Sequence, residues 1–91
     1  MLDLSAKQQL GFDAEKGRYS RKGEFVARRS GFYSELISRK WGYGKGYSSC
    51  GRLTGQDHAT IIHCCKESTA GYYRNNMTED YAIGVKLALD L

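Results

Sequence analysis

Gly55 and the eight residues after it constrain this chain more than any other stretch. The glycine breaks one helical pattern, and the polar run Gln56, Asp57 and His58 follows at once. Ala59 and Thr60 lead into Ile61 and Ile62, two large apolar side chains that anchor the start of a second helix, and His63 comes next. Polar groups crowded into a helix's first turn, just after a tight glycine-containing turn, are the arrangement of a helix-turn-helix. The motif spans about residues 47–68.

The rest of the chain agrees with helices. There is no proline among the 91 residues, so no position forbids a long helix. Residues 2–10 place Leu2, Leu4, Ala6 and Leu10 for a short, imperfect helix that Gly11 ends in the C′ role. Residues 12–16 add one further turn, with Asp13 as its cap, and the glycine-bounded basic stretch 17–23 is a loop. From Glu24 to about Lys40 the residues Phe25, Arg28, Arg29, Phe32, Leu36 and Ile37 fall near helical spacing; Gly31 either weakens that helix or marks a close helix contact. Alternating glycines make 42–46 irregular. A short helix over 47–53 is capped by Ser48 or Ser49, and the helix from Asp57 to about Ser68 is stopped by Thr69, Ala70 and Gly71. Thr78 caps the last helix, Glu79 and Asp80 favour its dipole, and Tyr81, Val85, Leu87, Ala88 and Leu91 are candidates for its buried side. The expectation is one all-α domain over 1–91, a small helix-turn-helix domain of about five helices.

Charge is distributed unevenly. Ten basic and only two acidic residues lie between Lys16 and Arg52, a local balance of +8, and the remainder carries −4 to give the net +4. A one-signed field over the middle third suits a polyanionic partner, although solubilising helix faces would use the same residues. Cys50, Cys64 and Cys65 form an odd, sparse set that fits a reducing compartment rather than a disulfide scaffold. His58 and His63 with these cysteines lack zinc-ligand spacing, so no metal and no cofactor are expected, and no nucleophile pair marks an enzyme. No apolar run approaches the ~20 residues that span a bilayer, and no apolar leader follows Met1; a soluble cytoplasmic protein without membrane association is expected.

The first turn of the second motif helix has the chemistry to read bases. Asp57 can accept from cytosine N4, His58 can donate or accept, and Thr60 can do either while its methyl, like Ala59, touches a thymine methyl. Each has a plainer role. Asp57 stabilises the helix dipole, and His58 lies within about 60° of Ile61 on the helical wheel and so borders the apolar face. His63 and Lys66 are on the side away from Ile61 and Cys65, where they reach phosphates or only solvent.

Over GRLTGQDHATIIH (residues 51–63) the sequence resembles the C-terminal DNA-binding domain of the bacterial replication initiator DnaA. That family shows a helix, a glycine turn, then Asp-His-Ser/Thr-Thr-Val/Ile and a further His. The likeness extends back to Arg21, Lys22 and FVARRSGFY (residues 25–33), which look like that domain's basic loop and the helix after it, and covers roughly residues 18–68. It implies sequence-specific binding to double-stranded DNA, with helix 57–68 in the major groove and the basic loop 18–23 reaching phosphates and the minor groove. Carried over by position, Asp57, His58, Ala59 and Thr60 face base edges; Arg18, Arg21, Lys22, Arg28, Ser49, His63 and Lys66 serve the backbone. Replication initiation, origin binding or transcription control in a bacterial nucleoid or phage-infected cell follows from the same resemblance. Ala59 and Gln56 stand where the family has Ser/Thr and Arg, and the 42–46 connection is longer. The 91 residues hold no phosphate-binding Gly-x-x-x-x-Gly-Lys-Ser/Thr, so no nucleotide is expected.

Two other classes fit parts of the pattern. Tyr43, Lys45 and Tyr47 in the GYGKGY loop could stack on RNA or single-stranded bases beside the basic loop. A protein-interaction adaptor that retains the fold would need none of the base-reading residues.

Overall fold

A computed structural model describes residues 2–38 and 46–91. Its organising element is α2 (Gly23–Ser38), which buries Ala27, Arg29, Ser30, Gly31, Phe32, Tyr33 and Leu36. So many buried positions cover more than the single apolar stripe of a surface helix, and α2 accordingly packs against every helix after it. Among the described residues those are α3 (Gly46–Thr54), α4 (His58–Cys65), α5 (Glu67–Asn76) and α6 (Thr78–Leu89). Before α2 come α1 (Leu4–Gln9) and a hairpin of β1 (Phe12–Asp13) and β2 (Arg18–Tyr19). The fold is all-α, with six described helices rather than about five and one minimal two-stranded sheet.

The α2–α6 contact is backbone against backbone. A Cβ on Gly31 would overlap the Tyr81 carbonyl oxygen, and one on Gly84 would overlap the Arg28 carbonyl oxygen. Gly31 therefore marks the close helix contact that its sequence position left open. The core around this pair comprises Leu2, Leu10, Phe32, Tyr33, Leu36, Cys50, Ile61, Cys64 and Ala88.

Several boundaries differ from expectation, each for a local reason. The extra helical turn expected at 12–16 is a hairpin, with Phe12 opposite Tyr19 and Asp13 opposite Arg18. The Asp13 carboxylate accepts from the amides of Glu15 (3.0 Å) and Lys16 (3.3 Å), which curls the chain into a turn. Gly17, at φ 66°, then donates to the Asp13 carbonyl at 2.8 Å and closes it. The Phe12 and Tyr19 rings pack across the strands with centroids 5.1 Å apart. Ser48 and Ser49 lie inside α3 rather than capping it, since the described helix already starts at Gly46.

The expected helix 57–68 breaks at Lys66, whose backbone is extended (ψ 139°). Its N–H closes α4 on the Ile62 carbonyl, and its carbonyl opens α5 by accepting from Thr69 and Ala70. Ala70 and Gly71, expected to stop a helix, are instead buried inside α5. At the next junction Met77 occupies the N-cap of α6, and the Thr78 hydroxyl turns back to the Arg74 carbonyl at 3.1 Å. Leu91 is about half exposed rather than on the buried side of α6. Gly11 does end α1 with a left-handed backbone, φ 99°.

Candidate nucleic-acid interface

The turn between α3 and α4 is built from hydrogen bonds. Gly55, at φ 82°, donates to the Gly51 carbonyl at 2.6 Å, the single-bond left-handed closure of a helix end. Thr54 just before it is buried, and its hydroxyl donates to the Cys50 carbonyl at 3.0 Å. The Tyr33 hydroxyl of α2 meets both Thr54 Oγ1, at 2.8 Å, and the Gln56 side-chain amide oxygen. The Gln56 backbone N–H also reaches Thr54 Oγ1 at 3.3 Å. From the hairpin, the Tyr19 hydroxyl donates to the Thr54 carbonyl at 2.6 Å. Burial pushes the phenols of Tyr19 and Tyr33 above their ordinary range, so both remain neutral donors across the physiological range.

Held this way, α4 turns Ile61 and Cys64 into the core and its leading residues outward. Asp57, His58, Ala59 and Thr60 are all exposed, and so are His63 and Lys66. Asp57 sits at the N-cap but makes no side-chain cap bond, leaving its carboxylate facing out, with Oδ1 3.7 Å from His58 Nδ1. Ala59 and His63 follow one another at i and i+4 on the exposed side of α4, and Lys66 at its C-terminal cap is exposed as well.

The basic hairpin lies beside this tip. Lys7, Arg18 and Arg21 line one depression together with Gly55, Gln56 and Thr60. The side chains of Arg18, Arg21, Lys22 and Lys66 are exposed and have no hydrogen-bond or ion-pair partner among the described residues.

Two expected backbone contacts are placed differently. Arg28 is committed within the protein: Nε meets Asp80 Oδ1 at 3.1 Å, Nη1 donates to the Gln9 carbonyl at 3.1 Å, and only 21% of the side chain is exposed. It ties α2 to α6 and does not join the free cations. Ser49 accepts from Arg52 Nη2 at 3.2 Å on α3, so it is no phosphate-binding helix cap. Tyr47 is partly buried against the core; Tyr43 and Lys45, with Arg39 and Lys40, lie outside the described residues.

Arg29 is the residue that sequence reasoning passed over. It is 5% exposed, donating from Nη1 to the Leu10 carbonyl and from Nη2 to the Ser20 carbonyl, both at 2.7 Å. Adjacent residues on a helix point about 100° apart, so Arg28 and Arg29 cannot share one set of partners. Burial lowers the Arg29 pKa, while its charge partly offsets the burial that raises the Cys64 thiol. Burial pushes Cys50 to about 11 and Cys65 to about 12. With Cys50 and Cys64 in the core and both histidines on the outside of α4, no three His, Cys, Asp or Glu side chains gather among the described residues. No described helix is long and apolar enough to cross a membrane.

Comparison with protein-family models, curated proteins and solved structures finds no match for this chain.

Proposed function

We propose that the protein binds double-stranded DNA site-specifically, with the N-terminal turn of α4 in the major groove and the Arg18–Lys22 segment on adjacent phosphates. One observation carries the reading: unpaired Arg18 and Arg21 line the same depression as Thr60, the exposed hydroxyl of the α4 tip. A duplex offers those two chemistries in that juxtaposition, base edges in a groove and phosphates at its rim. Asp57, His58, Ala59 and Thr60 read bases in this arrangement, and the exposed His63 and Lys66 join Arg18, Arg21 and Lys22 at the backbone. The resemblance of residues 18–68 to the DnaA C-terminal domain supports the same docking and suggests origin recognition or transcription control as the setting.

The test is selection of bound sequences from a random duplex pool, followed by affinity measurements on the selected duplex from low to moderate salt. With about five contacted phosphates, log K falls with log salt at a slope near −4 to −5. No enriched sequence and no retention of duplex at low salt would overturn the reading. Tighter binding of single-stranded competitors would move it to an RNA or single-strand binder.

A further inference from the structure

We propose that Tyr19 and Arg29 are positioning residues that lock the basic hairpin to the α3–α4 turn at one fixed spacing, so that both elements meet the duplex as a single rigid unit. The inference rests on the DNA-binding reading above. A hairpin with two residues per strand is not stable alone, so whatever anchors it decides where its arginines point. Arg29 anchors both ends. Its two terminal nitrogens bind the Leu10 carbonyl just before the hairpin and the Ser20 carbonyl just after it. Its guanidinium also lies 5.5 Å from the Tyr19 ring centroid.

Tyr19 then makes the link to the motif, through its hydroxyl on the carbonyl of Thr54, the last residue of α3. Arg18, the neighbour of Tyr19 in β2, lines the same depression as Thr60, so holding Tyr19 on the turn fixes where Arg18 sits beside the α4 tip. A buried arginine costs more than an apolar residue of its size, and here Arg29 Nε has no hydrogen-bond partner among the described residues. What an apolar side chain could not do is hold two carbonyls at the separation of a planar fork.

Tyr19→Phe keeps the ring and removes only the hydroxyl. Wild type, Tyr19→Phe and Thr60→Ala are compared on the selected duplex and on random duplex across a salt series, with melting temperatures measured alongside. Tyr19→Phe is expected to bind both duplexes roughly three- to tenfold more weakly. Its salt slope becomes shallower by about one unit for each phosphate that the hairpin no longer reaches. Thr60→Ala loses affinity on the selected duplex alone and keeps the wild-type slope. A Tyr19→Phe protein with wild-type affinity and slope overturns the proposal while leaving DNA binding intact. A wild-type protein that retains no duplex overturns both.

Amide exchange in the wild type gives an independent reading should the variant not fold. The Gly17 and Ser20 amides, bonded to the Asp13 and Gly11 carbonyls, are expected to be protected. Exchange there at the rate of a free peptide, in a protein that binds duplex, also overturns the lock.

Discussion

The α2–α6 pair and the α3–α4 pair are both helix–helix contacts, and they are made in opposite ways. The first is sealed by missing side chains: Gly31 and Gly84 let two backbones touch. The second is set by side chains, with the hydroxyls of Tyr33 and Tyr19 converging on Thr54 at the turn while Ile61 fills the space beneath. The backbone contact leaves no free surface and serves stability. The polar one fixes an angle and leaves the outer face of α4 unoccupied. The difference implies that stability and recognition reside in different residues, and the following changes probe that separation from the largest effect to the smallest.

Gly84→Ala should be the most damaging, because a Cβ there meets the Arg28 carbonyl and no rotamer change can relieve a backbone overlap. A loss of about 3 kcal/mol or more is expected in chemical unfolding, at the upper end for overpacking. A native-like unfolding midpoint would break the distinction at its stronger side. Ile61→Ala tests the other pair and should cost about 2–4 kcal/mol, because the fully buried side chain leaves a cavity under α4.

On the outer face the sign reverses, with binding affected and stability spared. His58→Ala, at a side chain 64% exposed, should cost about 1–3 kcal/mol on the preferred duplex, little on random DNA, and almost nothing in melting temperature. Equal losses on both sequences would remove base reading from this position. The two arginine classes sharpen the contrast further. Arg21→Ala should flatten the salt slope by about one unit on every sequence. Arg28→Ala should leave the slope unchanged and cost about 1 kcal/mol of stability through its partly buried Asp80 pair.

The last effect is alkaline. Cys50 and Cys65 have thiols raised by burial from an ordinary value of 9.0 to about 11 and about 12. A raised folded-state pKa contributes stability that is complete below pH 9 and is lost as pH climbs through 11 and 12. Unfolding midpoints should therefore hold up to about pH 9 and decline above it. Replacing both thiols by alanine should reduce that decline.

Helix α2 was legible because its apolar spacing is long and regular, and Gly31 stood out because a glycine inside such a run needs a reason. The exposed tip of α4 was legible too, since the polar run before Ile61 and Ile62 follows directly on Gly55. The hairpin was missed although its signal was present: Phe12 and Tyr19 flank a short segment that contains Gly17, and two-residue strands are too short to show alternation. The break at Lys66 carries no glycine or proline, so local propensity gave no warning of it.

Sequence by itself determined that this chain is helical, that a glycine turn precedes a polar helix start, and that its positive charge gathers in the middle third. These are properties of neighbouring residues, fixed by backbone preference, periodicity and composition. Only the tertiary structure decided which cations stay free. Arg28 and Arg29 are adjacent and chemically identical, yet one pairs with Asp80 from α6 and the other binds two carbonyls around the hairpin. Arg18 and Arg21 are left facing the depression beside Thr60. Partners distant in the chain make that choice, and no local pattern records which of them will arrive.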